Sequence, residues 1–110
     1  MELGKIYFYT SSIIGWKHLL KDDLFKNVII NSIYYLWDNN FISVYGFVIM
    51  PNHIHLILEN RKLNGKEMPY ESFMKYTGHE FKRILSGTNN LEPFRVESPG
   101  RLYQFWQRDY

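Results

Sequence analysis

The sequence predicts an α+β domain in which two helices cover one face of a four-stranded antiparallel sheet. Three observations carry this expectation. Short stretches rich in aromatic and β-branched residues occur at Lys5–Tyr9, Phe41–Met50, His53–Glu59 and Arg101–Arg108. Two longer stretches, Asp22–Asn39 and Tyr70–Leu85, space their apolar residues by three and four, as a helix buried on one side requires. The two kinds follow one another as strand, helix, strand, strand, helix, strand.

Each element has its own reason. "KIYFY" is short and aromatic, suiting a first strand, whereas residues 10–20 ("TSSIIGWKHLL") mix breakers with apolar residues and favour no one element. From Asp22, a natural N-cap, Phe25, Ile29, Ile33 and Leu36 fall on one side with Val28 and Ser32, and Asn39-Asn40 supplies a stop. "FISVYGFVIM" is apolar on both alternating faces, as expected of a central strand. Pro51-Asn52 suits the corners of a tight turn, so His53–Glu59 returns beside it as a hairpin. Residues 60–69 form a polar loop. The second helix turns Phe73, Thr77, Phe81 and Ile84 inward, and Gly78 costs it about 1 kcal/mol. Residues 86–100 read as a long loop before the last strand. This order is the ferredoxin-like βαββαβ plan, which leaves the second sheet face for solvent, a ligand, another subunit or a further segment.

The 110 residues suit a single domain, 1–110, with one core. A net charge of +2 permits a nucleic-acid partner without requiring one. Aromatic residues make up 18% of the chain, enough either to fill an aromatic core or to leave rings on a surface that binds bases or a partner chain. The absence of cysteine excludes disulfides and thiolate zinc sites and makes the cytoplasm the natural expectation. No apolar run approaches the roughly 20 residues that span a bilayer, and the N-terminus lacks the layout of a signal peptide, so no membrane role is expected.

Two of the four histidines interrupt the most apolar part of the chain, "GFVIMPNHIHLIL". Side chains alternate along a strand, so His53 and His55 point the same way, with Cα atoms about 6.5–7 Å apart. A register that buries Ile54, Leu56 and Leu58 places both imidazoles on the uncovered face. From spacing alone they are either two surface histidines or two ligands of one divalent ion that needs a third ligand elsewhere. Glu59 shares their face but lies roughly 13 Å along the strand from His55. Gln104, Gln107 and Asp109 are other options.

The run Met50-Pro51-Asn52-His53-Ile54-His55 closely resembles the histidine–hydrophobe–histidine ("HUH") motif of single-tyrosine transposases, the small insertion-sequence and REP-associated enzymes. "SFMKYTGHEFKRIL" resembles the basic helix that follows the motif, and "YQFWQRD" the aromatic strand near the family's catalytic segment. The resemblance covers nearly the whole chain. It implies DNA transposition: binding of single-stranded or hairpin DNA, a Mg²⁺ or Mn²⁺ cofactor that polarises the scissile phosphate, and attack by a tyrosine hydroxyl to leave a 5′-phosphotyrosine. Carried over position by position, His53 and His55 match the metal ligands and Ile54 the inward hydrophobe. The family's nucleophile lies on a helix after the aromatic strand, in a segment like Tyr-Ile-His-x-Asn-Pro that this sequence does not contain, and that helix also supplies the third ligand. Tyr110 is the one substitute after the strand, so a truncated, inactive form is expected. Homodimers are common in the family.

Lys75, His79, Lys82 and Arg83 fall on one stripe of the second helix, which either tracks phosphates of a DNA hairpin or is a solvated helix face. Lys62, Lys66, Arg95 and Arg101 extend the basic surface in the flanking loops. Only one alternating set of Tyr103 and Phe105 against Gln104 and Trp106 can face the open side. A rival reading is a nucleic-acid-binding module without catalysis, with aromatic residues on the open sheet face. A metal- or small-molecule-sensing regulatory domain on the same fold is a third.

Overall fold

The structure, a computed structural model, describes residues 2–107, and of Ser98 and Arg101 the backbone alone. Its elements are β1 (Ile6–Ser12), α1 (Asp23–Asp38), β2 (Ile42–Met50), β3 (His53–Asn60), α2 (Pro69–Leu85), β4 (Arg95–Ser98) and β5 (Arg101–Tyr103). The Asp22 carboxylate accepts from the Leu24 N–H at 2.9 Å and starts α1, as its position before the periodic run requires. Phe25, Ile29, Ser32, Ile33 and Leu36 are its buried face. Pro69 opens α2, where its missing N–H costs nothing.

The fold is α+β, with an antiparallel sheet in the order β1-β3-β2 and a separate β4-β5 hairpin. Three expectations need correcting. The central strand is β3, not residues 41–50; β2 is an edge, and its second apolar face is exposed rather than covered. Residues 86–100 are not all loop, because β4 pairs with β5 across Arg95↔Tyr103 and Ser98↔Arg101. The last strand does not run through residues 101–108. It stops at Tyr103, after which the Ile14 N–H donates to the Phe105 carbonyl (2.8 Å), the Gln107 N–H donates to the Ser12 carbonyl (2.7 Å), and Trp106 makes an isolated bridge to Ile13. The sheet therefore has three full strands, with residues 105–107 laid along the end of β1.

The core lies between the sheet and the helices. Ile54, Leu56 and Leu58 of β3 meet Ile29, Ile33 and Leu36 of α1 and Phe73, Phe81 and Leu85 of α2. Each such buried side chain contributes about 1.5–3 kcal/mol. Phe105 and Trp106 are adjacent yet both buried, which strand alternation would forbid. Phe105 stacks on Phe94 and meets Phe81 edge-on, while the Trp106 indole N–H donates to Thr77 Oγ1 at 2.9 Å. That hydroxyl in turn donates to the Phe73 carbonyl.

A polar network completes the inner face. Asn60 is fully buried, donates to the Tyr9 hydroxyl (3.0 Å) and accepts from the Tyr70 N–H (3.2 Å). The Tyr9 and Tyr70 rings stack, and the Tyr70 hydroxyl shares a hydrogen bond with Ser11. Among the described residues, no helix is long and apolar enough to cross a membrane.

Candidate functional site

Strand pairing fixes what surrounds the two histidines. On the face away from the helices, His53 lies between Ser12 and Met50, His55 between Thr10 and Val48, Ile57 between Phe8 and Gly46, and Glu59 between Ile6 and Ser43. A bulge between Val44 and Gly46 inserts Tyr45, whose hydroxyl donates to Glu59 at 3.3 Å. His53 and His55 therefore project together onto the uncovered face, as alternation requires, beside exposed Phe8 (64%) and Val48.

Both rings are held on one side. His53 Nδ1 lies 2.6 Å from Asn52 Oδ1, and His55 Nδ1 lies 3.0 Å from Thr10 Oγ1. A side-chain carbonyl oxygen only accepts, so this contact puts a proton on His53 Nδ1, which in the neutral imidazole leaves the lone pair on Nε2. Thr10 can accept or donate, so it orients His55 without dictating its tautomer. The ring centroids are 4.9 Å apart and nearly perpendicular, and Phe8 stacks on His55 at 5.5 Å. Hydrogen-bonding the far nitrogen is how proteins orient imidazole ligands, and here, among the described residues, neither Nε2 takes part in a hydrogen bond. The pair thus fits two coordination positions of a divalent ion.

The described residues do not gather a third ligand around them. Among the described residues, no group of three His, Cys, Asp or Glu side chains could hold a metal ion. Glu59 is turned to Tyr45, and the Gln104 amide donates to the Trp106 carbonyl. Asp109 and Tyr110, the other sequence candidates, lie outside the described residues. On the sheet face of the imidazoles the described tyrosine is Tyr45, engaged two rows away, whereas Tyr76 is exposed on α2.

The basic stripe of α2 divides. Lys75, His79 and Lys82 line one groove, facing Tyr103, with Lys82 Nζ 5.5 Å from the Tyr103 ring centre. Arg83 lines a different cleft, toward α1, and makes a two-pronged bond to Glu80 at 2.9 and 3.0 Å. That bond holds the Glu80 carboxyl below its ordinary range and the Arg83 guanidinium above it. Lys75 is tied to Glu67 at 2.6 Å, which raises its ammonium pKa. His79 and Lys82 are thus the exposed basic side chains of the groove with no carboxylate partner among the described residues. The Arg101 side chain lies outside the described ones, Arg95 pairs with Glu92, and Lys62 rests on the Phe41 ring.

Sequence reasoning did not find Asn52 and Thr10. A turn requirement already accounted for Asn52, and Thr10 sat in the stretch left unassigned. It also gave no warning of Trp16, exposed and held at φ 55° in the turn after β1, where a bulky residue is strained. No protein-family model, no curated protein and no solved structure matches the chain.

Proposed function

We propose that this chain is the metal- and DNA-binding domain of a single-tyrosine HUH transposase, ferredoxin-like in plan and acting in the cytoplasm. The observation that carries the reading is the pair of imidazoles, each bonded through Nδ1, presenting Nε2 together on an open sheet face. The placement of Trp106 beside β1 supports the ferredoxin-like plan, since it occupies the fourth-strand position of that topology. Bound Mg²⁺ or Mn²⁺ would supply Lewis-acid polarisation of a phosphate oxygen. His53 and His55 would hold it, Asn52 and Thr10 would orient them, and His79 and Lys82 would attract DNA phosphates. Among the described residues no tyrosine stands beside the imidazoles, and the role proposed for the domain is binding of hairpin or single-stranded DNA without cleavage. The apolar sheet face around Phe8, Val48 and Ile57 supports a second copy of the chain as partner.

The test is fluorescence anisotropy with a labelled stem–loop DNA and a blunt duplex of the same stem, with and without Mn²⁺. The stem–loop should bind preferentially, lose affinity steeply with salt, and show no nicked product on a denaturing gel. His53→Ala/His55→Ala should remove the Mn²⁺ effect while leaving the circular dichroism spectrum intact. Equal binding of duplex and stem–loop would sink the proposal.

One observation favours a second reading, a nucleic-acid-binding sheet without any reaction. Phe8 and Tyr45 stand exposed on opposite edges of the uncovered face, as stacking residues do on RNA-binding sheets. Binding that ignores Mn²⁺ and the double alanine variant, but falls with Phe8→Ala, would select it.

A further inference from the structure

The groove between α2 and the segment after β5 has a volume of about 560 Å³, within the range of small-ligand sites. Three features of it are independent of one another. Its basic side chains, the Lys82 ammonium and the His79 imidazole, have no carboxylate partner among the described residues. Its opposite lip is the half-buried Tyr103 ring, with Lys82 already seated near the ring face. Its floor includes Gly78, in the middle of α2.

Gly78 is the informative one. A glycine inside a helix is unfavourable because the unfolded chain gains so much freedom there. Nothing within the fold asks for it: a Cβ at position 78 would meet no atom within 4 Å, and its φ is not in the left-handed region. The missing methyl leaves space in a groove walled by a lysine, an imidazole and an aromatic ring. That space suits a flat ring carrying an anionic group.

We propose that this groove is a subsite for one unpaired nucleotide, with the base against Tyr103 over the Gly78 floor and the 5′-phosphate on His79 and Lys82. This rests on the DNA-binding reading above and says where an unpaired base is held. One end of the groove lies near the strand that carries the imidazoles. Gln107, at its end, is bonded to Ser12, and Ser12 is paired with His53, so the Gln107 end of the groove is two strand spacings, roughly 10 Å, from the His53 backbone, with the imidazoles on the other face of the sheet. A strand anchored in the groove and leaving it past Gln107 heads for the edge of the sheet whose far face carries the imidazoles.

The closing experiment uses ¹⁵N-labelled chain titrated with each of the four 2′-deoxynucleoside 5′-monophosphates, and with inorganic phosphate alone. At least one nucleotide should shift the amides of Gly78, His79 and Lys82 and the Trp106 indole N–H, and phosphate alone should spare the indole. Gly78→Ala should raise the thermal midpoint by about 3–6 °C, through helix propensity, yet weaken nucleotide binding by about tenfold or more. Stability and binding moving in opposite directions is what an incidental glycine cannot produce. If no nucleotide shifts these signals, or Gly78→Ala binds as tightly as the wild type, the inference is overturned. Stem–loop binding separates the two readings. A stem–loop bound equally well by Gly78→Ala removes the subsite and leaves the DNA reading, whereas mononucleotide binding without any stem–loop binding does the reverse.

Discussion

Removing the Asn52 amide should loosen the candidate metal site by an amount that the hydrogen-bond chemistry predicts. With Oδ1 held 2.6 Å from His53 Nδ1, the bond selects one flip state and, in the neutral ring, one tautomer. In Asn52→Ala both become free, so the state with an Nε2 lone pair aimed outward falls to about one quarter, a fourfold loss of affinity. Thr10→Val frees only the flip of His55, because threonine never fixed the tautomer, and costs about twofold. The two together give about eightfold, or about 1.3 kcal/mol, at the lower edge of the 10–100-fold typical for ligand-orienting residues. Isothermal calorimetry with Ni²⁺, which favours imidazole nitrogen, reads these ratios directly. Asn52→Asp retains the acceptor and should bind at least as tightly as the wild type. If Asn52→Ala and Thr10→Val both bind like the wild type, or Asn52→Asp loses as much as Asn52→Ala, the orienting role is wrong.

Other expectations concern the scaffold. Asn60→Leu should destabilise the fold by about 2–3 kcal/mol in urea unfolding, because it removes both the buried oxygen that accepts from the Tyr70 N–H and the amide that donates to the Tyr9 hydroxyl. An unchanged midpoint would mean that the network contributes nothing net. Trp106→Phe leaves the Thr77 hydroxyl its bond to Phe73 but loses the indole donor, and should cost about 1–2 kcal/mol by the same assay. Burial raises the Tyr9 phenol pKa, and the hydrogen bond from Asn60 only partly offsets this. A raised folded-state value favours the protonated phenol, so its contribution is intact below about pH 10 and is lost as pH rises through the folded value. The gap in urea midpoint between wild type and Tyr9→Phe should therefore narrow from pH 9 to pH 11, and a constant gap would refute the assignment.

The two helices were legible because their burial repeats locally. Phe25, Ile29, Ile33 and Leu36 form one face of α1 whatever it packs against, and Phe73, Thr77 and Phe81 do the same in α2. The orientation of His53 and His55 was legible for a similar reason, since alternation needs only Ile54, Leu56 and Leu58 to set the inward side. The end of the chain was not. Residues 101–108 look like a strand, but Phe105 and Trp106 both sink into the core where Phe81, Phe94 and Thr77 receive them, a tertiary demand with no local signature. β4 was hidden because "RVES" has no alternation and pairs only with β5. The split in the basic stripe was half visible, because Glu80 and Arg83 are three apart on one helix. Glu67, which ties down Lys75, lies before α2, and its position depended on the fold.

The clasp of Phe105–Gln107 along Ser12–Ile14 also bears on how the molecule assembles. It joins the two extremes of the sequence through two backbone bonds, so almost the whole chain must be in place before it can close. The β2–β3 hairpin demands no such search, because its strands are joined by two residues. A late-closing seam is also an early-opening one. Hydrogen exchange at the Ile14 and Gln107 amides should run ahead of the β3 amides, marking the border along which the domain first comes apart.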